Sequence, residues 1–169
     1  MKIGQLAPRF RVPALVKGEV VYLDSAHFLG NPIALCFLPA LDLLEYALLE
    51  RHVPNFDEQK VLFLGVVSDE SFFSGPWRKR LWPRGLTLLS NPLGRLYAHY
   101  GVPHLPDPLR CRSFAIDPQG LVRYHLVHDL NGRGMSALLE ILKASQTSGT
   151  QRSAISVRAT DRSPLLTSG

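Results

Sequence analysis

The stretch that most constrains the fold runs from residue 32 to residue 53, where an apolar run of strand length leads into a helical pattern. Residues 33–38 are all apolar, and Pro39 ends the run because proline cannot donate a hydrogen bond to a sheet. Leu41, Leu44 and Leu48 then recur at helical spacing. The first turn of a helix has unpaired N–H groups and a partial positive charge. The junction therefore predicts a place where a reactive group or an anion could be held.

A second continuous apolar run, over residues 60–67, follows this helix, and we expect Pro54 and Asn55 to end the helix before it. Because polar and apolar residues do not alternate in the run, it predicts an interior strand parallel to the first, joined by a right-handed crossover. The remaining pattern predicts an edge strand over 20–23, a short strand over 86–89, a helix over 94–100 and a hairpin of strands 113–116 and 121–127. The fold class is α/β.

Length and composition favour one globular domain. Of the 169 residues, 46% are apolar and 20% charged, which is typical of a chain that buries a core. We expect this domain to span residues 1–145. Residues 146–169 are rich in Ser, Thr and Arg and have too few apolar side chains to repay ordering, so they predict a flexible tail.

No apolar run approaches the roughly 20 residues that a membrane span needs, and the first residues lack the apolar segment of a signal peptide. Two cysteines do not make a disulfide framework. The sequence therefore predicts a cytoplasmic protein with no membrane span.

One basic cluster interleaves with tryptophans, and it has two interpretations. Basic side chains could contact phosphates while the rings stack on bases, or the segment could be a solvated helix face whose tryptophans pack inward. The second interpretation is favoured, since a net charge of +5 is weak evidence for a nucleic-acid partner. We expect no nucleic-acid partner. The cluster consists of Trp77, Arg78, Lys79, Arg80, Trp82 and Arg84.

Four segments together resemble one known family. They are IGQLAPRFRVP at 3–13, the junction at 32–53, NPLGRLYAHYGV at 91–102, and the run from Phe114 through Asp117, Pro118, Gly120, Arg123, Asp129, Gly132 and Arg133 to paired leucines. This order is similar to that of the peroxiredoxins of the alkyl hydroperoxide reductase and thiol-specific antioxidant (AhpC/TSA) group. The resemblance covers about residues 3–145. It implies a thioredoxin-like fold, with a mixed central sheet and helices on both faces.

The resemblance also locates the family's active site. In the family, a threonine follows the strand-ending proline by four residues, the peroxide-reducing cysteine follows it by seven, and a glutamate comes three later. Counting from Pro39 gives Leu43, Tyr46 and Leu49. Leucine has no hydroxyl to orient a peroxide, and a phenol with a pKa of about 10 is a poor nucleophile that cannot become a sulfenic acid. The four residues therefore mark a degenerate site.

The function that follows is a non-catalytic binding or assembly component. The expected partner is another protein or a second copy of the chain, meeting the sheet edge or the loops around the former pocket. No cofactor is expected. The histidines, at 27, 52, 99, 104, 125 and 128, lack ligand spacing with the two cysteines, so no metal is expected. His125 and His128 would point to opposite faces of one strand.

An enzymatic alternative remains, a peroxiredoxin-type thiol peroxidase using a relocated cysteine. Cys36 lies in the apolar strand, where burial raises the pKa of a thiol and makes it inert. Cys111 is expected in a loop before a strand, where Arg110 and Arg112 would lower its pKa. The family's active-site arginine aligns with Cys111 itself, so strict register misplaces the activating charge. Cys111 is the preferred candidate of the two thiols.

Overall fold

The computed structural model describes residues 2–38, 43–67, 86–90, 94–102 and 110–144, and of residues 43–46 it describes the backbone alone. Pro39, the cluster from Trp77 to Arg84 and the predicted tail over 146–169 lie outside the described residues. The elements in chain order are β1 (Arg11–Val16), β2 (Glu19–Asp24), a 3-10 helix (Ser25–Phe28), β3 (Ile33–Phe37), α1 (Leu43–Glu58), β4 (Leu62–Val66), β5 (Thr87–Leu89), α2 (Arg95–His99), β6 (Arg110–Ile116), β7 (Val122–Asp129) and α3 over 132–144.

The strands form one mixed sheet in the order β2-β1-β5-β4-β3-β6-β7. β3 pairs with β4 and β4 with β5 in parallel, while the other neighbours are antiparallel. Every residue of β3 is buried, as an unbroken apolar run predicts for an interior strand. β2 and β7 are the edge strands, and the prediction of an edge strand over 20–23 is confirmed.

Helices cover both faces of this sheet. Phe56 of α1 packs on Phe63 of β4, with ring centroids 5.2 Å apart. On the other face, Tyr97 of α2 meets Phe37 of β3 edge-on at 5.0 Å. Phe63 and Phe37 point to opposite faces because Phe37 is in register with Val66, three residues beyond Phe63. This is the mixed α/β architecture that the resemblance implies.

The prediction that α1 ends at Pro54 was wrong, because the helix continues through this proline to Glu58. Proline cannot donate the helix hydrogen bond and its ring crowds the preceding turn, which costs about 3 kcal/mol in a helix interior. The extra turn brings Phe56 into the core, where it is fully buried. Burial of a large aromatic side chain offsets the cost of the proline.

The predicted hairpin is confirmed, and Asp117 fixes its turn. The carboxylate oxygen Oδ1 of Asp117 accepts hydrogen bonds from the backbone N–H groups of Gln119 and Leu121, at 3.0 and 2.9 Å. Gly120 supplies the left-handed backbone, with φ of 89°. β6 begins at Arg110, three residues before the predicted strand, because residues 110–112 pair with β7 and Arg112 also pairs with Phe37 of β3.

The chain divides into two compact units after Leu138. The first unit contains the sheet, α1, α2 and the start of α3. Of the second unit, residues 139–144 are described and are helical. The domain boundary at residue 145 stays a prediction.

Candidate functional site

The predicted succession of a buried strand and a helix is present on either side of residues 39–42, which lie outside the described residues. β3 ends at Phe37, α1 begins at Leu43, and Tyr46 therefore lies in the first turn of the helix. Leu43, Tyr46 and Leu49 succeed one another at three-residue intervals, so they lie along one side of the helix. Leu49 is fully buried. Leu49, which the resemblance places at the family's glutamate position, is thus hydrocarbon in the core, where a carboxylate would be costly.

Burial governs the chemistry of Cys36. It lies in the middle of the sheet and is 1% exposed. Burial raises the pKa of its thiol to about 12, and a hydrogen bond with Ser113 only partly offsets that rise. The thiol is therefore protonated at neutral pH. The prediction that Cys36 is buried in a strand is confirmed.

A hydrogen-bonded chain extends from Cys36 through Ser113 to His128. Ser113 is fully buried, and its hydroxyl oxygen lies 2.6 Å from Nε2 of His128. Nδ1 of the same ring lies 3.1 Å from the backbone carbonyl oxygen of Asp129, so the ring donates there and accepts from Ser113. This arrangement gives the buried hydroxyl a hydrogen-bond partner, and burial lowers the pKa of the His128 ring. The sequence did not reveal it, because it depends on the register of β3, β6 and β7.

The placement of Cys111 in a loop was wrong. Cys111 is the second residue of β6, pairs with His128 of β7, and is fully buried. Successive strand residues point to opposite faces, so Arg110 and Arg112 leave the sheet on the side opposite to the Cys111 side chain. The two guanidiniums that flank the thiol in sequence do not flank it in space. Within the described residues, Arg110 and Arg112 therefore do not provide the activation that the sequence predicts for the Cys111 thiol.

The two arginines have other surroundings. Nε of Arg110 lies 3.6 Å from Oδ1 of Asp129 in an exposed ion pair. Arg112 lies on the same face of the sheet as Phe37. Burial of the His125 ring lowers its pKa, and the positive charge of Arg112 lowers it further. The His125 ring also stacks on Phe114, with centroids 4.4 Å apart. Neither arginine is directed at a thiol.

His125 pairs with Phe114 and His128 with Cys111, so the two histidines point to opposite faces of β7, as predicted. Among the described residues, no three His, Cys, Asp or Glu side chains are grouped so that they could hold a metal ion.

Comparisons with known proteins agree with this geometry. The AhpC/TSA family matches residues 3–125, which is more than half of the chain. The chain belongs to the AhpC/TSA family. Peroxiredoxin-2 of Pongo abelii is 30% identical over 158 residues, covering 86% of this chain and 89% of the relative.

Solved structures of this family have the same fold. The mitochondrial 2-Cys peroxiredoxin of Plasmodium falciparum superposes with a TM-score of 0.71 at 25% identity, covering 88% of this chain and 96% of the other. The reduced 2-Cys peroxiredoxin of Plasmodium vivax gives the same TM-score of 0.71 and 25% identity, over 89% and 99% of the two chains. The thioredoxin-like α/β fold of the chain follows from these similarities. Within the described ranges, no helix is both long and apolar enough to cross a membrane.

Proposed function

We propose that this chain is a peroxiredoxin-like protein with a degenerate active site, and that it serves as a non-catalytic binding or assembly component. One observation supports this most strongly. Tyr46 occupies the first turn of α1, where a reactive thiol would profit from the helix dipole, while Cys36 and Cys111 are both buried in strands. Leu49, one turn further on, is packed in the core.

The enzymatic alternative requires that peroxide reach one of these thiols. The raised pKa of Cys36 argues against a thiolate there, and complete burial of Cys111 argues against access. We also propose a cytoplasmic location, since two cysteines do not make a disulfide framework.

Restoring a thiol at position 46 tests the site directly. We expect the cysteine of Tyr46→Cys to react with iodoacetamide about tenfold faster at pH 7 than the cysteine of Ala47→Cys. The reason is that the resemblance places the family's peroxide-reducing cysteine at position 46, near the start of α1, where the helix dipole favours a thiolate. Ala47 is the next residue of the same helix and is exposed, so its side chain points in a different direction. Site-resolved mass spectrometry measures each modification, and Cys36 and Cys111 should remain unmodified in both folded variants.

Equal rates at positions 46 and 47 would contradict the assignment of Tyr46 to the former cysteine position. Rapid modification of Cys111 in the natural protein would instead favour the relocated-thiol peroxidase.

The surface that best fits an assembly role is the open edge of β7. Gly4 and Gln5 form hydrogen bonds with Val122 at the start of this strand, whereas its residues 123–129 have no further strand beside them in the described part of the chain. Tyr124 and Val127 there are 42% and 45% exposed. An open strand with apolar side chains readily pairs with a second strand, so we propose self-association through β7.

Sedimentation equilibrium tests this association. We expect the natural chain to be a dimer or larger oligomer and Val127→Pro to shift it towards monomer, because proline removes a backbone donor from the edge. Val20→Pro on β2, the other edge strand, is the matched control and should leave the mass unchanged. A monomeric natural chain would overturn the proposal of self-association, but it would not contradict the proposal of a degenerate active site.

A further inference from the structure

A cavity of about 310 Å³ opens between the N-terminal segment, the 3-10 helix and the sheet. It reaches Leu35 and Leu64, which are 0% and 3% exposed, on the face that α2 covers. The β3–α1 junction lies at the other end of β3, so this cavity is separate from the degenerate site. A cavity of about 150 Å³ is enough for benzene, and pockets for small ligands begin near 300 Å³.

The walls are apolar, and the rim has two exposed leucines. Leu6 and Leu29 are 69% and 62% exposed and line the opening. Both approach Gly120, at 3.9 and 3.6 Å from where its Cβ would lie. Exposed leucines that face each other across an opening would be covered by an apolar ligand, which favours binding of such a ligand.

Most of the polar groups that line the cavity are already engaged. The hydroxyl of Tyr100 donates to the carbonyl oxygen of Pro8 at 3.0 Å. The carboxylate of Asp117 accepts two backbone hydrogen bonds and forms an ion pair with Nε of Arg123 at 3.0 Å. The charge of Asp117 is therefore offset, and it presents little repulsion to an anionic ligand.

Two donors remain. Ser25 accepts from the backbone N–H of Phe10 at 3.0 Å, and its own N–H donates to the Phe10 carbonyl oxygen at 2.8 Å, so Ser25 is held against the residue that follows Arg9. Within the described part of the chain, the hydroxyl hydrogen of Ser25 is not donated and no carboxylate pairs with Arg9. Arg9 and Ser25 both line the cavity. A cation beside a hydroxyl donor is suited to a carboxylate.

We propose that this cavity binds a small monocarboxylate with an apolar tail, such as a medium-chain fatty acid. The tail lies against Leu35 and Leu64 and covers Leu6 and Leu29, while the carboxylate accepts from Arg9 and Ser25. The apolar volume selects the tail, and the Arg9 guanidinium, which no carboxylate of the described residues pairs with, selects the charge.

Isothermal titration calorimetry with octanoate tests this proposal on the full chain. Octanoate should bind saturably at one site per chain and more tightly than octanol. Arg9→Gln should weaken octanoate binding about fivefold and leave octanol binding unchanged, because an exposed charge pair of this kind contributes a factor of that size. Arg51→Gln, an exposed arginine of α1 that does not line the cavity, is the matched control and should bind octanoate as the natural protein does.

A second variant tests the location. Ala26 lines the cavity from the 3-10 helix, and Ala26→Phe should abolish binding of both ligands by filling it. Amide chemical shifts in the natural protein should change at Leu29 and Gly120 on addition of octanoate. The proposal is overturned if octanoate does not bind saturably, if Arg9→Gln binds it as well as Arg51→Gln does, or if Ala26→Phe leaves its affinity intact.

Discussion

Gly65 in β4 occupies a place where two leucines leave no room for a side chain. A Cβ at this position would lie 2.8 Å from Cδ1 of Leu38 and 3.0 Å from Cδ2 of Leu88. Both leucines are almost completely buried, at 1% and 0% exposure. The glycine therefore allows the residue after β3 and a residue of β5 to pack closely over the centre of the sheet.

Gly65→Ala should lower the free energy of unfolding by about 1–3 kcal/mol, because one added methyl group overpacks a dense core. Urea denaturation measures this. Gly132→Ala is the matched control, since its Cβ would meet only the His52 ring at 3.6 Å and alanine favours the helix that begins there. We expect its stability to be unchanged or slightly raised. Equal stability of Gly65→Ala and the natural protein would show that the core has room at this point.

His128 makes stability depend on pH. Its pKa lies below the ordinary value of 6.5 because burial disfavours the charged ring, although the carbonyl and carboxylate of Asp129 oppose that shift. In the unfolded chain the ring keeps its ordinary pKa, so below pH 6.5 the unfolded state binds more protons than the folded state. The stabilising contribution is complete above pH 6.5 and is lost as the pH falls towards the folded-state pKa.

The natural protein should therefore be less stable to urea at a pH about one unit below the ordinary histidine pKa than at a pH one unit above it. His128→Gln should show a smaller loss, because the amide can still bond to Ser113 and does not titrate. His27→Gln, an exposed histidine, should keep the full loss. If His128→Gln has the same pH dependence as the natural protein, His128 is not the group responsible.

Single residues show what sequence patterns can and cannot predict. Burial of Cys36 followed from the apolar run around it. Burial of Cys111 did not, because Arg110 and Arg112 on either side are polar and indicate a loop. The strand position of Cys111 depends on its pairing with His128 of β7, at the end of the hairpin far from the turn, which the local pattern of residues 110–112 does not indicate. The hydrogen-bonded chain from Cys36 through Ser113 to His128 was missed because it depends on the registers of three paired strands.

Among the elements, α1 shows competition between a local rule and the core. Pro54 is exposed on a helix that continues for four more residues, and the turn it begins places Phe56 against Phe63. Proline rules predict a helix end, and they failed here because burial of Phe56 outweighs the local cost.

Pro54→Ala should raise the free energy of unfolding by about 1–3 kcal/mol, since alanine restores the helix hydrogen bond and removes the ring clash. Asn55→Ala, at the exposed neighbouring position, should change it by less than about 0.7 kcal/mol. Equilibrium urea unfolding compares the two variants. A destabilised Pro54→Ala would show that the proline itself positions the last turn of α1.

At the scale of the whole molecule, the parallel β3–α1–β4 unit and the β6–β7 hairpin followed from sequence alone, because each is made of neighbours in the chain. The order of the strands did not, because the pairing of β1 with β5 joins residues that are more than 70 apart in the sequence. The family resemblance supplied the overall fold. The site positions Leu43, Tyr46 and Leu49 came from that resemblance, and the structure adds that Leu49 is in the core.

The central claim is that a peroxiredoxin fold persists here without a thiol that can reduce peroxide. The rate at which the natural protein reacts with hydrogen peroxide at pH 7, measured by competition with a peroxidase of known rate, tests it most directly. We predict a rate constant no greater than that of free cysteine, with Cys36 and Cys111 still reduced by mass spectrometry. A much faster reaction that leaves Cys36 or Cys111 oxidised to sulfenic acid would contradict the claim.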